Sequence, residues 1–235
     1  MRAWFLILPL AIALSAPYST LSKRWDGLMA LYMLLEELGY EVRRVTGSPF
    51  RLPKGMRAFF LVQPSEELKE GEIDELVEWA GRGNVLIAAG DLPLAPLAER
   101  LGLRLVEGSG IFESGAIGVQ LRKPRVERAI VKTTWRLRPW DSRSDVIPLC
   151  GDAEGATVVM VRLGRGVVFL ISSPFPLTNA GLKYEENVDL LSNLLSFLPR
   201  GSEVGFDEYH HGLRTIRLPM GELISIGGFL ASPLG

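Results

Sequence analysis

Apolar positions along the first half of the chain follow two alternating rhythms. Leu28, Leu31, Leu34, Leu35 and Leu38 fall on one face of a 3.6-residue repeat and predict a helix over 26–38. Asp26 stands where it can cap that helix, and Gly39 where it can end it. Residues 40–45 then read as a strand. Ala58–Val62 (AFFLV) and residues 84–89 (NVLIAA) are short and apolar throughout, the pattern of strands buried on both faces. Between them, residues 63–81 predict a helical region whose acidic residues gather near its start. A helix over 93–101 and a short strand over 103–106 follow. Strands alternating with helices over about 80 residues predict a parallel sheet wrapped by helices.

The rhythm breaks over 107–145, where Gly108, Gly110, Gly115 and Gly118 lead into Arg122, Lys123, Arg125, Arg128, Lys132, Arg136, Arg138 and Arg143. Residues 126–134 suit an antiparallel element added to the main sheet. Strands over 157–161 and 167–171 are joined by residues 163–166 (LGRG), a hairpin turn. An amphipathic helix over 184–198 and a short strand over 204–206 close the series. The expected fold class is α/β, with a mostly parallel sheet flanked by helices and a β-rich insertion over about 107–155. The domain runs from 17 to 213, and residues 214–235 form a tail.

Charge and composition narrow the function classes. With 26 basic against 27 acidic residues, the net charge of −1 gives no bulk attraction to nucleic acid, and none is expected as a partner. One cysteine rules out an internal disulfide or a multi-cysteine metal site. Residues 3–16 form an uncharged run of about 21 Å as a helix, short of the roughly 30 Å of a hydrocarbon core. That length favours a signal-peptide core, with a short uncleaved anchor as the alternative. Either reading places the protein in or at a membrane, or exported, with its domain outside the cytoplasm. The basic stretch reads as a solvated face, or as a contact for anionic head groups or an acidic partner.

Ligands of open parallel sheets gather beyond the carboxyl ends of the strands. Those ends carry Gln63, Gly90 and Asp91, Ser172 and Ser173, then Asp207 and Glu208. Both histidines of the chain, His210 and His211, lie beside the last pair in residues 206–212 (FDEYHHG). Asp207, Glu208, His210 and His211 are thus candidates for acid–base work, and Asp207, His210 and His211 for a divalent metal. Adjacent residues seldom chelate one ion together, so no cofactor is otherwise expected. Asn179 and Asn187, with Asp91, Ser172, Ser173, Asp207, Glu208 and His210, are candidate ligand-binding groups. No nucleophile elbow, phosphate loop or dinucleotide fingerprint is present, and Cys150 reads as a small buried apolar group.

Residues 18–22 (YSTLS) and 27–43 resemble the opening of domain-of-unknown-function family 4350. The resemblance continues through 60–64 (FLVQP), 85–90 (VLIAAG), 173–181 (SPFPLTNAG) with Asn187, and 206–212, covering about 17–213. It implies a flavodoxin-like, class I glutamine amidotransferase-like fold in a membrane protein with a membrane segment on each side. The catalytic cysteine and histidine of amidotransferases have no counterpart here. The tail 214–235 ends where relatives enter a second membrane helix, so that anchor is expected to be missing or truncated.

Three function classes follow. The leading one is a non-catalytic, membrane-tethered binding or scaffold module with a pocket at the sheet end. The second is a hydrolase, metal-dependent or not, using residues 207–211 with Asp91 or Asn179 across the pocket. The third is a structural subunit of a membrane complex that meets a protein partner through the basic insertion.

Overall fold

The computed structural model describes residues 16–117, 121 and 124–216. Most of the uncharged run 3–16 and of the tail 214–235 therefore lies outside the described residues. Among the described residues, no helix is long and apolar enough to cross a membrane.

Five strands form the parallel part of a nine-stranded sheet. They are β1 (Glu41–Val45), β3 (Ala58–Val62), β4 (Val85–Ala89), β9 (Gly166–Ile171) and β10 (Glu203–Asp207), in the order β1-β10-β3-β4-β9. β3 and β4 are buried along their whole length, as their unbroken apolar runs require. Helices α1 (Met29–Glu37) and α4 (Glu185–Leu195) cover one face, packing Leu31, Leu35, Leu190, Leu191 and Leu194 with Phe60, Ile87 and Phe169. Helices α2 (Glu70–Gly81) and α3 (Ala95–Arg100) cover the other, packing Ile73, Leu76 and Leu97 with Phe59, Leu86 and Val168. Each such side chain contributes about 1.5–3 kcal/mol by leaving water. Phe60 and Phe206 stack across β3 and β10 with centroids 4.8 Å apart. A two-stranded parallel pair, β2 (Gly47–Ser48) with β11 (Thr215–Ile216), stands apart from this sheet.

The expected cap of α1 is replaced by a distant one. Asp26 pairs instead with Arg24 at 3.1 Å, and Asn179 Oδ1 accepts the Ala30 N–H at 2.7 Å. The helix start is thus held by the loop after β9, not by its own flank.

From β9 the sheet turns antiparallel through β8 (Gly155–Leu163), β6 (Arg128–Pro139), β5 (Leu103–Ala116) and β7 (Val146–Asp152). β7 also pairs with β8, so β8, β6, β5 and β7 close on themselves as a small barrel. These are the four longest strands, with 9, 12, 14 and 7 residues, and none has a parallel partner. The expectation of a flavodoxin-like, amidotransferase-like, mostly parallel α/β fold is thereby corrected: the protein is β-rich, with few helices, and its sheet is largely antiparallel. Glycines explain the misreading. Gly108 and Gly110 read as breakers after residue 106, whereas they sit in a bulge that lets β5 run on.

Inside the barrel, Arg136 is 1% exposed. Its guanidinium pairs with both oxygens of Asp152 (Nε–Oδ1 2.9 Å) and donates to the Ser109 carbonyl at 3.0 Å, linking β6, β7 and the β5 bulge. This pairing holds the Asp152 carboxyl below its ordinary pKa. The other described arginines of the basic stretch are partnered too: Arg128 with Glu113 and Glu186, Arg125 with Glu127, Arg143 with Asp145, and Arg138 with the Glu154 carbonyl.

Asp152→Ala leaves the Arg136 guanidinium buried without its carboxylate and is expected to cost about 3 kcal/mol in urea unfolding. Adding Arg136→Leu in that background should recover part of the loss, a coupling that a double-mutant cycle measures directly.

Candidate functional site

The parallel strands end on one side of the sheet, and each end hands a polar residue to a loop. After β10, the backbone turns through a short 3-10 segment, Tyr209–His211, closed by Gly212 at φ +83°. Asp207, Glu208, His210 and His211 are all buried there, and every one is engaged. His210 Nδ1 lies 2.9 and 3.0 Å from the two Asp207 oxygens, and its Nε2 lies 3.2 Å from Glu72 on α2. His211 faces away, with Nε2 3.1 Å from the Val62 carbonyl and Nδ1 3.2 Å from Ser65 Oγ. The two imidazoles therefore serve different elements and share no ligand position. Among the described residues, no group of three or more His, Cys, Asp and Glu is placed to hold a metal ion.

Glu208 is fully buried and accepts from Ser19 Oγ at 2.8 Å, Thr20 N–H at 2.6 Å and Thr20 Oγ1 at 2.5 Å. Asn179 continues the restraint, donating to the Ser22 and Arg24 carbonyls at 3.0 and 2.6 Å. Backbone bonds from Asn179 to Gly27 and from Ala180 to Trp25 complete it. These contacts lay residues 18–28 across the sheet end, so that Tyr18 and Trp25 overhang the space beyond β4 and β9. Asn187 does comparable work elsewhere: its amide bonds both backbone groups of Ile130 at 2.9 and 3.1 Å, joining α4 to β6.

Beneath Tyr18 and Trp25 opens a cavity of about 560 Å³, within the range of small-molecule sites. Its floor is Asp91 after β4 and Ser172 and Ser173 after β9. Its far wall belongs to the barrel: Gly110, Ile111 and Phe112 from β5 and 132–135 from β6. Trp25 is 63% exposed and Phe112 43%, so aromatic faces are open to the cavity. Lys132 Nζ sits 4.1 Å from the Phe175 ring centroid and 5.0 Å from that of Phe112. Burial, then the charges of Asp26 and Asp91, raise the Tyr18 phenol above its ordinary pKa.

The hydroxyls of Ser172, Ser173 and Thr133 are spoken for. Ser172 Oγ donates to the Trp135 carbonyl at 2.9 Å, Ser173 Oγ to that of Lys132 at 3.4 Å, and Thr133 Oγ1 to that of Ser172 at 2.8 Å. Asp91 is aimed by Gln63, whose Nε2 donates to Oδ1 at 2.7 Å and whose Oε1 accepts the Asp91 N–H at 3.0 Å. A Cβ on Gly90 would stand 2.6 Å from that Gln63 oxygen, so the clamp requires glycine there.

Backbone conformation marks the same place. Three described non-glycine residues have positive φ: Tyr18 (58°), Gln63 (43°) and Lys132 (46°). Tyr18 and Lys132 line the cavity, and Gln63 holds Asp91 in it. Each such conformation costs about 1–3 kcal/mol, and such strain clusters at functional sites. Both register shifts between β5 and β6 fall here as well, either side of the Ile111–Thr133 pair.

Of the candidate groups, the cavity brings together Asp91, Ser172 and Ser173. Asn179 and Glu208 shape it from behind, while Asn187, Asp207, His210 and His211 lie outside its lining. Sequence reasoning did not find Tyr18, Trp25, Phe112, Lys132 or Phe175. The one signal for Lys132 is that it follows directly on the apolar residues 129–131 of β6. Cys150 is buried, and burial pushes its thiol up to about 12, so it is protonated at neutral pH.

Residues 20–195 match the family described as Domain of unknown function (DUF4350), and the chain belongs to that family. Among solved structures it is similar to a cytoplasmic protein of Salmonella typhimurium LT2, at 13% identity over 66% of this chain and 78% of that one, TM-score 0.47. It is also similar to the mmIFT52 N-terminal domain, at 12% identity over 60% and 75%, TM-score 0.45. A third is a β-galactosidase from Bacillus circulans sp. alkalophilus, at 11% identity and TM-score 0.41; 59% of this chain aligns with 22% of that one, so it spans under a quarter of the glycosidase. Likenesses at this level carry no functional argument. No curated protein matches the sequence.

Burial alone would lower the His210 pKa, but the hydrogen bond and charge of Asp207, then those of Glu72, outweigh it and raise the value. A raised folded-state pKa gives stability that is full below about pH 6.5, the unfolded value, and is lost as pH climbs through the folded one. His210→Gln should therefore cost most below that pH, with the gap to wild type narrowing on the alkaline side in urea unfolding.

Proposed function

We propose that this protein is a non-catalytic binding module whose ligand occupies the cavity between the sheet end and the barrel, and that it is tethered at a membrane through the uncharged run 3–16. The observation carrying the binding reading is the convergence of Tyr18, Gln63 and Lys132, each in a left-handed conformation, on one open cavity. A fold has no need to collect its costly backbone conformations around empty space; a site that must present fixed groups does. The acid–base groups support the same reading from the other side. His210 and His211 are buried in internal bonds, and the nearest thing to a dyad, His210 with Asp207, is 1% exposed and closed off by Glu72. A hydrolase built on residues 207–211 would need that pair to meet substrate. A scaffold docking through the basic stretch would need free arginines, whereas among its described arginines Arg136 is 1% exposed and Arg125, Arg128, Arg138 and Arg143 have partners.

Screening a fragment library against the ¹⁵N-labelled chain by NMR should give hits that shift amides of 110–112, 132–135 and 172–173, with few effects at 207–211. Hits confined to 207–211, or turnover of nitrophenyl esters, amides or glycosides that His210→Gln abolishes, would overturn the proposal. For the tether, alkaline phosphatase fused after Ser22 should be active in cells and sediment with membranes; an inactive, soluble fusion contradicts it.

A further inference from the structure

We infer that the cavity takes a neutral saccharide, held by stacking of a pyranose face on Trp25 or Phe112 and by hydroxyl hydrogen bonds to Asp91 and Lys132. This rests on the binding reading above and gives the site its ligand class. The argument runs from what the cavity has left to offer. Its hydroxyls at Ser172, Ser173 and Thr133 are directed at the carbonyls of Trp135, Lys132 and Ser172. An extended peptide binds chiefly through main-chain pairing with a strand edge, and outside the bulge β5 and β6 have spent theirs on each other.

What remains is aromatic surface, the Tyr18 and Thr134 hydroxyls, one carboxylate and one ammonium. The carboxylate and the ammonium cancel, so the lining favours a ligand without net charge over an anion or a cation. Trp25 stands exposed at the mouth, an amphipathic plate of the kind that covers the C–H face of a sugar ring, and Phe112, with Lys132 over its ring, offers only its remaining face. The Gln63 clamp engages Asp91 Oδ1 and fixes the plane of the group, leaving Oδ2 as an acceptor of fixed direction for sugar hydroxyls. Lys132 is placed by the bulge and by its left-handed backbone, with its ammonium against Phe175, where it can donate to a hydroxyl or ring oxygen. Room for more than one residue comes from the open shape and from Gly110, where a side chain would meet only Thr134 Cγ2 at 3.7 Å.

The test is calorimetric titration of the full chain with cellohexaose, xylohexaose, maltohexaose and chitohexaose up to about 10 mM, with trialanine and triglycine in parallel. Saturable binding of at least one hexasaccharide is expected, weakened about tenfold or more by Asp91→Asn and by Trp25→Ala. Trp25 is solvent-exposed, so its truncation should leave the circular dichroism and melting midpoint unchanged. Binding that both variants leave intact overturns the inference. Tripeptide binding blocked by Thr134→Arg, with no saccharide response, overturns the saccharide class and keeps the cavity as the site. Silence from every saccharide overturns the inference, and silence joined to fragment shifts confined to 207–211 overturns the binding reading as well.

Discussion

Glu208 carries a carboxylate with no access to solvent, a state that is stable only when donors surround it. Its donors come from Ser19 and Thr20, nearly the whole domain away in sequence. Arg44 donates to Thr20 Oγ1 at 2.7 Å and brings a positive charge to the cluster, while its guanidinium also lies 3.9 Å over the Tyr32 ring. The first described segment is thus bound to the last parallel strand, and unpinning it would strand a buried charge. The roof of the cavity follows from this pin, since Tyr18 and Trp25 hang from the same short stretch. Site and fold share one electrostatic requirement.

The parallel half of the sheet was legible because burial on both faces writes itself as unbroken apolar runs. Ala58–Val62 coincides with the observed β3, and the helix expected over 184–198 contains α4. The barrel was not legible for the opposite reason. β5 alternates between exposed and half-buried positions, carries glycines at its bulge, and gains its order from partners on both sides. Its arginines read as a solvated basic face, yet Arg136 is one of the most buried side chains in the molecule. Only the position of Asp152 across the barrel distinguishes it from Arg138, two residues on.

The candidate site shows the same division. Strand ends are found by counting, so the sequence alone places Asp91, Ser172 and Ser173. The aromatic walls could not, because Trp25, Phe112 and Phe175 come from three separated segments with no shared spacing. The histidine-rich segment drew attention for its composition, and composition says nothing about direction: one imidazole turns to α2 and the other to the end of β3. A dense polar cluster at a sheet end here is mortar, and the sparse, strained neighbour is the opening.

The closed barrel has a consequence for how this molecule behaves among its own copies. A sheet normally has two borders where a foreign strand can add; here β7 returns to β8, leaving β1 as the free border of the nine-stranded sheet among the described residues. That border is five residues long and alternates Glu41 and Arg43 outward, with Arg43 bridged to Glu203 at 3.2 Å. Among the described residues, runaway stacking of this nine-stranded sheet therefore has one short and charged place to begin. A β-rich chain built this way carries its own guard against edge-to-edge growth of the main sheet.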